Sequence, residues 1–334
     1  MFSGPLETPK LSFGEKLIAF NWVFLVLITG LVCVGAAALY SVAGGSLDPW
    51  AETHVIRYCF GLGLLFAVAL TDIRVWMRLA YPVYLVALVL LVAVPFLGVE
   101  SGGAQRWLQL GSINFQPAEL MKVALVLALA RYYEWLAPKH MSNPLALLLP
   151  AAMIALPVAL VVMQPDLGTA VLFAAVGGGL LFLAGASWIY FVFGITGVVA
   201  AIPFIWQSLH DYQKTRVMTF IDPDKDPLGA GYHILQSKIA LGSGGVTGKG
   251  YMQGTQSQLN FLPEKHTDFI FTMFVYVFIN VAMVMGLVPV VGVPLPLVSY
   301  GGTSMITLMF GFGLVLNAHV HRKVVFRPHE IGII

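Results

Sequence analysis

Trp22-Val-Phe-Leu-Val-Leu-Ile-Thr-Gly-Leu-Val-Cys-Val-Gly-Ala-Ala-Ala-Leu-Tyr40 contains no charged residue. A bilayer core about 30 Å thick needs about 20 largely apolar residues to be crossed by a helix, because a helix rises about 1.5 Å per residue. This run, continued to Val42, meets that requirement. It is longer than the apolar part of a signal peptide and is followed by further runs of its kind, so it reads as a retained spanning helix. The rest of the chain agrees: of 334 residues, 58% are hydrophobic and 10% charged, with mean hydropathy +0.85. Soluble domains carry about a quarter charged residues. The expectation is an all-α, polytopic helical membrane protein, a single integral membrane domain over residues 1–334.

Working outward, spans are expected at about Trp22–Val42, Val55–Leu70, Leu79–Gly98, Ala118–Trp135, Leu145–Gln164, Gly168–Ala184, Trp188–Trp206, Phe269–Val291 and Ser304–His319, nine in all. Short cytoplasmic loops carry the excess of Lys and Arg. Lys10, Lys16, Arg74, Arg78, Arg131 and Lys139 fall in one alternating set of loops, against Arg57, Arg106 and Lys122 in the other, which predicts a cytoplasmic N-terminus. The long polar loop from about Gln207 to Asp268, with Tyr212, Asp222, Asp224 and Asp226, then lies outside the cytoplasm. The same rule conflicts with nine spans at the end of the chain, since the tail His319-Val-His-Arg-Lys323 with Arg327 would be external. An even number of crossings would place that basic tail inside.

Soluble-enzyme signatures fail. Ser243-Gly-Gly-Val-Thr-Gly-Lys-Gly250 lacks both the first glycine of a phosphate loop and its magnesium-binding hydroxyl, and reads as a glycine turn. His319 and His321 have no third ligand nearby in sequence. Cys33 and Cys59 lie in apolar runs and read as small hydrophobes. A net charge of +2 without a basic cluster gives no sign of nucleic acid. Glu119 and Lys122, three apart on a helix opened by Gln116-Pro117, share a face; they form either an interfacial ion pair or the lining of a polar cavity. Asp166 in Gln164-Pro-Asp-Leu-Gly-Thr169 reads as a helix cap. Glu264-Lys-His-Thr-Asp268 is open to two readings: an N-cap for the following apolar run, or a carboxylate at the membrane surface able to take a proton from a hydroxyl.

The stretch Gly254-Thr-Gln-Ser-Gln-Leu-Asn-Phe-Leu-Pro-Glu-Lys-His-Thr-Asp-Phe-Ile-Phe271 resembles the signature of the SEDS family (shape, elongation, division and sporulation), and within it the RodA-like elongation branch more than the FtsW-like division branch. Gln164–Thr169, Arg106-Trp-Leu108, Gln116–Lys122 and Pro294-Leu-Pro-Leu-Val-Ser-Tyr-Gly-Gly-Thr-Ser304 extend the resemblance over the whole chain.

The resemblance implies a peptidoglycan glycosyltransferase of the bacterial cytoplasmic membrane. Such an enzyme polymerises lipid II, an undecaprenyl-diphosphate-linked substrate, during lateral wall elongation beside a class B penicillin-binding protein transpeptidase and the elongation machinery. It makes Asp268 the general base, with Glu119 and Lys122 in a central cavity and Arg106 and Trp107 in a loop that meets substrate or partner. Glu264, Lys265 and His266 would contribute to the same substrate site. The cation at the leaving diphosphate is left open among Lys122, Lys249, Lys265, Arg216 and a divalent metal such as Mg or Mn. The family pattern has one span more than this chain. Phe274 runs directly into Val275-Tyr-Val-Phe-Ile-Asn280, where about fifty residues of that pattern are absent, at the place where the charge rule asks for another crossing. A lipid II flippase or transporter, a septal polymerase and a non-catalytic scaffold are the competing readings. A transporter would hold its essential charges near the midplane.

Overall fold

The computed structural model describes residues 11–101, 104–111, 113–136, 143–164, 166–208 and 302–322, with 214, 218, 239, 242–243, 251–253 and 297–298 besides. These form helices α1 (Phe13–Ala19), α2 (Trp22–Val42), α3 (Ala51–Leu70), α4 (Ile73–Leu97), α5 (Pro117–Trp135), α6 (Pro144–Met163), α7 (Leu167–Leu183), α8 (Trp188–Ser208) and α9 (Gly302–Val320). Eight of the expected spans coincide with helices α2 to α9, and the ninth, Phe269–Val291, lies outside the described residues. Among the described residues, five helices (α2, α3, α4, α6 and α9) are long and apolar enough to cross a membrane; α7 and the Trp188–Phe204 part of α8 are shorter apolar helices.

One element departs from an all-helical expectation. Between α4 and α5 the chain forms a small antiparallel sheet, β1 (Val99–Ser101), β2 (Ala104–Leu110) and β3 (Ile113–Phe115), in the order β1-β2-β3. Gly111, at φ +65°, turns β2 into β3 so that Leu108 pairs with Phe115 and Gln109 with Asn114. Strands this short carry too weak a period-two pattern to be seen between two long apolar runs.

Helix starts follow local chemistry. Asn21, Asp72 and Asn143 accept from the amides of Phe24, Arg74 and Leu145, and Pro117 and Pro144 occupy the first turns of α5 and α6, where a missing N–H costs nothing. Interior prolines are handled differently. Pro95, Pro150 and Pro157 cannot donate to the carbonyls four residues earlier, which frees Leu91, Ala146 and Met153. Each freed carbonyl receives a side-chain donor from another element: Gln164 Nε2 at 2.8 Å to Leu91, the Tyr132 hydroxyl at 2.6 Å to Ala146, and the Tyr84 hydroxyl at 2.9 Å to Met153. Without water in a bilayer core such groups must be paired within the protein, so these bonds tie α4, α5 and α6 together where prolines would otherwise weaken them.

Among the described residues, two large packed clusters and a small third one around Leu39 make up the interior. Leu91, Met121, Leu125, Leu129 and Phe173 centre one among α4, α5, α6 and α7, and Ile28, Leu65, Met309 and Leu316 the other among α2, α3 and α9. In the second, α9 lies along α3 with its sequence rising in the same direction. Gly61 meets Met309, Gly313 meets Val68 and the Leu65 carbonyl, and the Asn317 amide donates to the carbonyls of Val68 and Ala69 at 3.0 and 3.1 Å. A Cβ on Gly313 would sit 2.8 Å from the Val68 Cβ, so only glycine permits this approach. The C-terminus of α3 is capped further by Lys16 Nζ of α1, 2.6 Å from the Leu70 carbonyl. The C-termini of α3 and α9 thus share one end of the bundle, and the small sheet lies at the other.

Candidate functional site

At the sheet end, β2 and the first turns of α5 and α7 converge. The pleat of β2 sends Arg106 and Trp107 to opposite faces, both half-buried. Arg106 reaches toward α7, its Nε 4.0 Å from Asp166 Oδ2. Asp166 also caps α7, accepting from the Thr169 amide at 3.2 Å on Oδ1 and from the Thr169 hydroxyl at 2.9 Å on Oδ2. Gln164, buried at the end of α6, fixes the approach to this cap through its bond to Leu91.

On α5, Glu119 is 8% exposed and accepts from Lys122 Nζ at 2.7 Å. Its carboxylate sits in the first turn, where the helix dipole favours negative charge. Ala118 and Met121 pack in the same cluster as Ala170 and Phe173, which sets the Glu119–Lys122 pair and the Asp166–Arg106 pair on neighbouring helix ends. The result is two cations and two carboxylates gathered at one end of an apolar bundle, a place where unpaired charge would be costly.

Of the residues expected at a site, the structure brings Arg106, Glu119 and Lys122 to this end, with Trp107 on the reverse face of the same strand. Glu264, Lys265, His266 and Asp268 lie outside the described residues, as do Lys249 and Arg216. Tyr251 and Met252, which precede Glu264 in the chain, lie at the same end: the Tyr251 hydroxyl donates to the Ala37 carbonyl at 2.9 Å, and the Met252 amide to Ser41 Oγ at 3.2 Å. Tyr251 also closes an apolar groove of about 420 Å³ between Ala36, Tyr40, Ala51 and Val55, which shares no lining residue with the charged cluster. Sequence reasoning saw Asp166 only as a cap; its ion pair with Arg106 spans sixty positions and leaves no local trace. The cap itself was visible in Gln164–Thr169. Among the described residues no three His, Cys, Asp or Glu side chains converge as metal ligands.

The fold and this charged end define a polytopic helical membrane protein with a polar site at the end of its bundle. The family model for FtsW/RodA/SpoVE cell cycle proteins matches residues 16–275 and 271–324. The chain belongs to this family, the SEDS proteins. It is 41% identical to the peptidoglycan glycosyltransferase MrdB of Escherichia coli strain K12, over 94% of this chain and 97% of that one. It is 34% identical to a probable peptidoglycan glycosyltransferase FtsW of Thiomicrospira cyclica, over 91% of each. Among solved structures, a chain of a peptidoglycan synthase complex that coordinates polymerization and crosslinking superposes with TM-score 0.74 at 31% identity, over 91% of this chain and 98% of its own. The rod shape determining protein RodA of Thermus thermophilus gives 0.60 at 25%, over 92% and 98%. The alignment with MrdB runs over 365 positions, more than the 334 residues of this chain, so it includes positions where this chain has no residue. The family match breaks at 271–275, next to Phe274.

Proposed function

We infer that the protein is a peptidoglycan glycosyltransferase that polymerises lipid II in rod elongation. The observation that carries this is the near full-length relation to MrdB at 41% identity, together with the charged cluster at the end of the bundle. The donor's diphosphate needs cations beside it, and Arg106 and Lys122 supply them at the sheet end. The acceptor hydroxyl must lose its proton as it attacks the anomeric carbon, and Asp268 takes it as general base in a single inverting displacement. Charge then develops on the leaving diphosphate, where a held guanidinium and ammonium stabilise it. Glu264, Lys265 and His266 complete the substrate site, and Trp107 meets substrate or partner. A class B penicillin-binding protein crosslinks the product; the solved synthase complex supports that partnership.

Orientation follows the charge rule, with the N-terminus cytoplasmic and the sheet end facing outward, where the lipid-linked disaccharide is presented. Residues 1–334 act as one membrane domain, with its large outer loop at 207–268. The parallel packing of α9 on α3 supports an even number of crossings from α2 to α9, which returns the basic tail to the cytoplasm and keeps Pro294–Ser304 on the outer side.

The test uses purified protein with its penicillin-binding partner and lipid II. Wild type is expected to yield glycan polymer, and Asp268→Asn to lose at least about a hundredfold in rate, the scale of general-base catalysis. Equal polymer from both would remove Asp268 from the mechanism.

A further inference from the structure

Asp166 carries a full charge where its capping role needs none. A neutral asparagine or serine oxygen caps a helix as well as a carboxylate does. Both Asp166 oxygens already accept from Thr169, and the charge they add is directed at Arg106, whose Nε stands 4.0 Å from Oδ2. That separation is ion-pair distance, so the carboxylate's attraction orients the guanidinium. The carboxylate is itself held from behind. Pro95 leaves the Leu91 carbonyl without a helical donor, Gln164 Nε2 fills it at 2.8 Å, and two residues later Asp166 is set against β2. A kink-forming residue in α4 thereby helps fix the direction of an arginine in the sheet that follows α4.

We propose that Asp166 is a positioning residue that aims Arg106 at the diphosphate of a lipid-linked ligand. The planar guanidinium fork suits two phosphate oxygens, and a guanidinium aimed in advance loses less freedom on binding. This rests on the glycosyltransferase reading for the identity of the ligand, and the experiment separates the two. Full-length protein in lipid nanodiscs is titrated with undecaprenyl diphosphate, with no turnover required. Asp166→Asn keeps the cap and removes the charge; it is expected to weaken binding about fivefold or more in a protein that still folds, with a thermal unfolding midpoint lowered only by leaving Arg106 without its carboxylate. Arg106→Gln is expected to weaken it similarly, and the double variant no further, because each removes the same interaction. In polymerisation the Asp166→Asn loss should appear in kcat as well as in kcat/KM, because the same guanidinium meets the charge that develops on the leaving diphosphate. Asp166→Ser, a second charge-free cap, guards against a folding defect peculiar to asparagine. Binding within twofold of wild type in both single cap variants, or a double variant whose loss is the product of the single losses, overturns the proposal. Wild-type protein that binds undecaprenyl diphosphate through Asp166 and Arg106 but makes no polymer overturns the glycosyltransferase reading and leaves the positioning role standing.

Discussion

Glu119 is buried beside a cation that lies on the next turn of its own helix, and removing that cation exposes what the pair is for. Lys122→Met leaves a carboxylate of 8% exposure without its partner 2.7 Å away. The expected cost is about 1–3 kcal/mol, read as a lower unfolding midpoint in detergent. Glu119→Gln combined with Lys122→Met removes both charges and should recover most of that stability, yet not the polymer yield, since the cation at the diphosphate is still missing. A double variant as unstable as Lys122→Met alone would show that the lysine's packing, not the pair, was lost. The i, i+3 spacing made this pair legible in the sequence. The Arg106–Asp166 pair was not, because its partners are brought together by the folding of the intervening β3, α5 and α6.

Within the helices, Pro95, Pro150 and Pro157 mark where α4, α5 and α6 are stapled to one another. The Tyr84 hydroxyl donates to the Met153 carbonyl that Pro157 leaves free. Tyr84→Phe should therefore cost about 1–3 kcal/mol of stability, the price of a buried acceptor without a donor. In a Pro157→Ala background the helix supplies its own amide to Met153, and the same Tyr84→Phe change should cost less than about 0.5 kcal/mol. Equal costs in both backgrounds, measured by thermal unfolding in one detergent, would sink the stapling account. Hydropathy located α6 to within a residue at each end and said nothing of these bonds, since any apolar run containing proline reads alike whether or not a neighbour completes its hydrogen bonds. The sheet at 99–115 was missed for a related reason: seven residues of β2 are too few for alternation to stand out, and its pairing is fixed by Gly111 and by the ends of α4 and α5.

For the whole molecule, the deciding feature is the direction of α9. Its parallel course beside α3 predicts that Arg322→Cys is labelled by an impermeant thiol reagent only from the cytoplasmic side, and Ser46→Cys only from the outside, after Cys33 and Cys59 are replaced by alanine. Those two thiols are free and exposed on the helices, so they would otherwise react. Labelling of Arg322→Cys and Ser46→Cys from the same side would contradict the even number of crossings. By itself the sequence determined that this is a membrane protein of packed helices, where most of those helices run, and to which family it belongs. Hydropathy, caps and motifs are local properties, and they survive in a linear reading. Only the tertiary structure decided that α3 and α9 are parallel neighbours, that Gln164 completes a carbonyl of α4, and that Asp166 faces Arg106. Those depend on which surfaces meet, and in a bilayer, where lipid is as apolar as the helices, close packing at small residues and completed hydrogen bonds settle the choice between equally apolar faces.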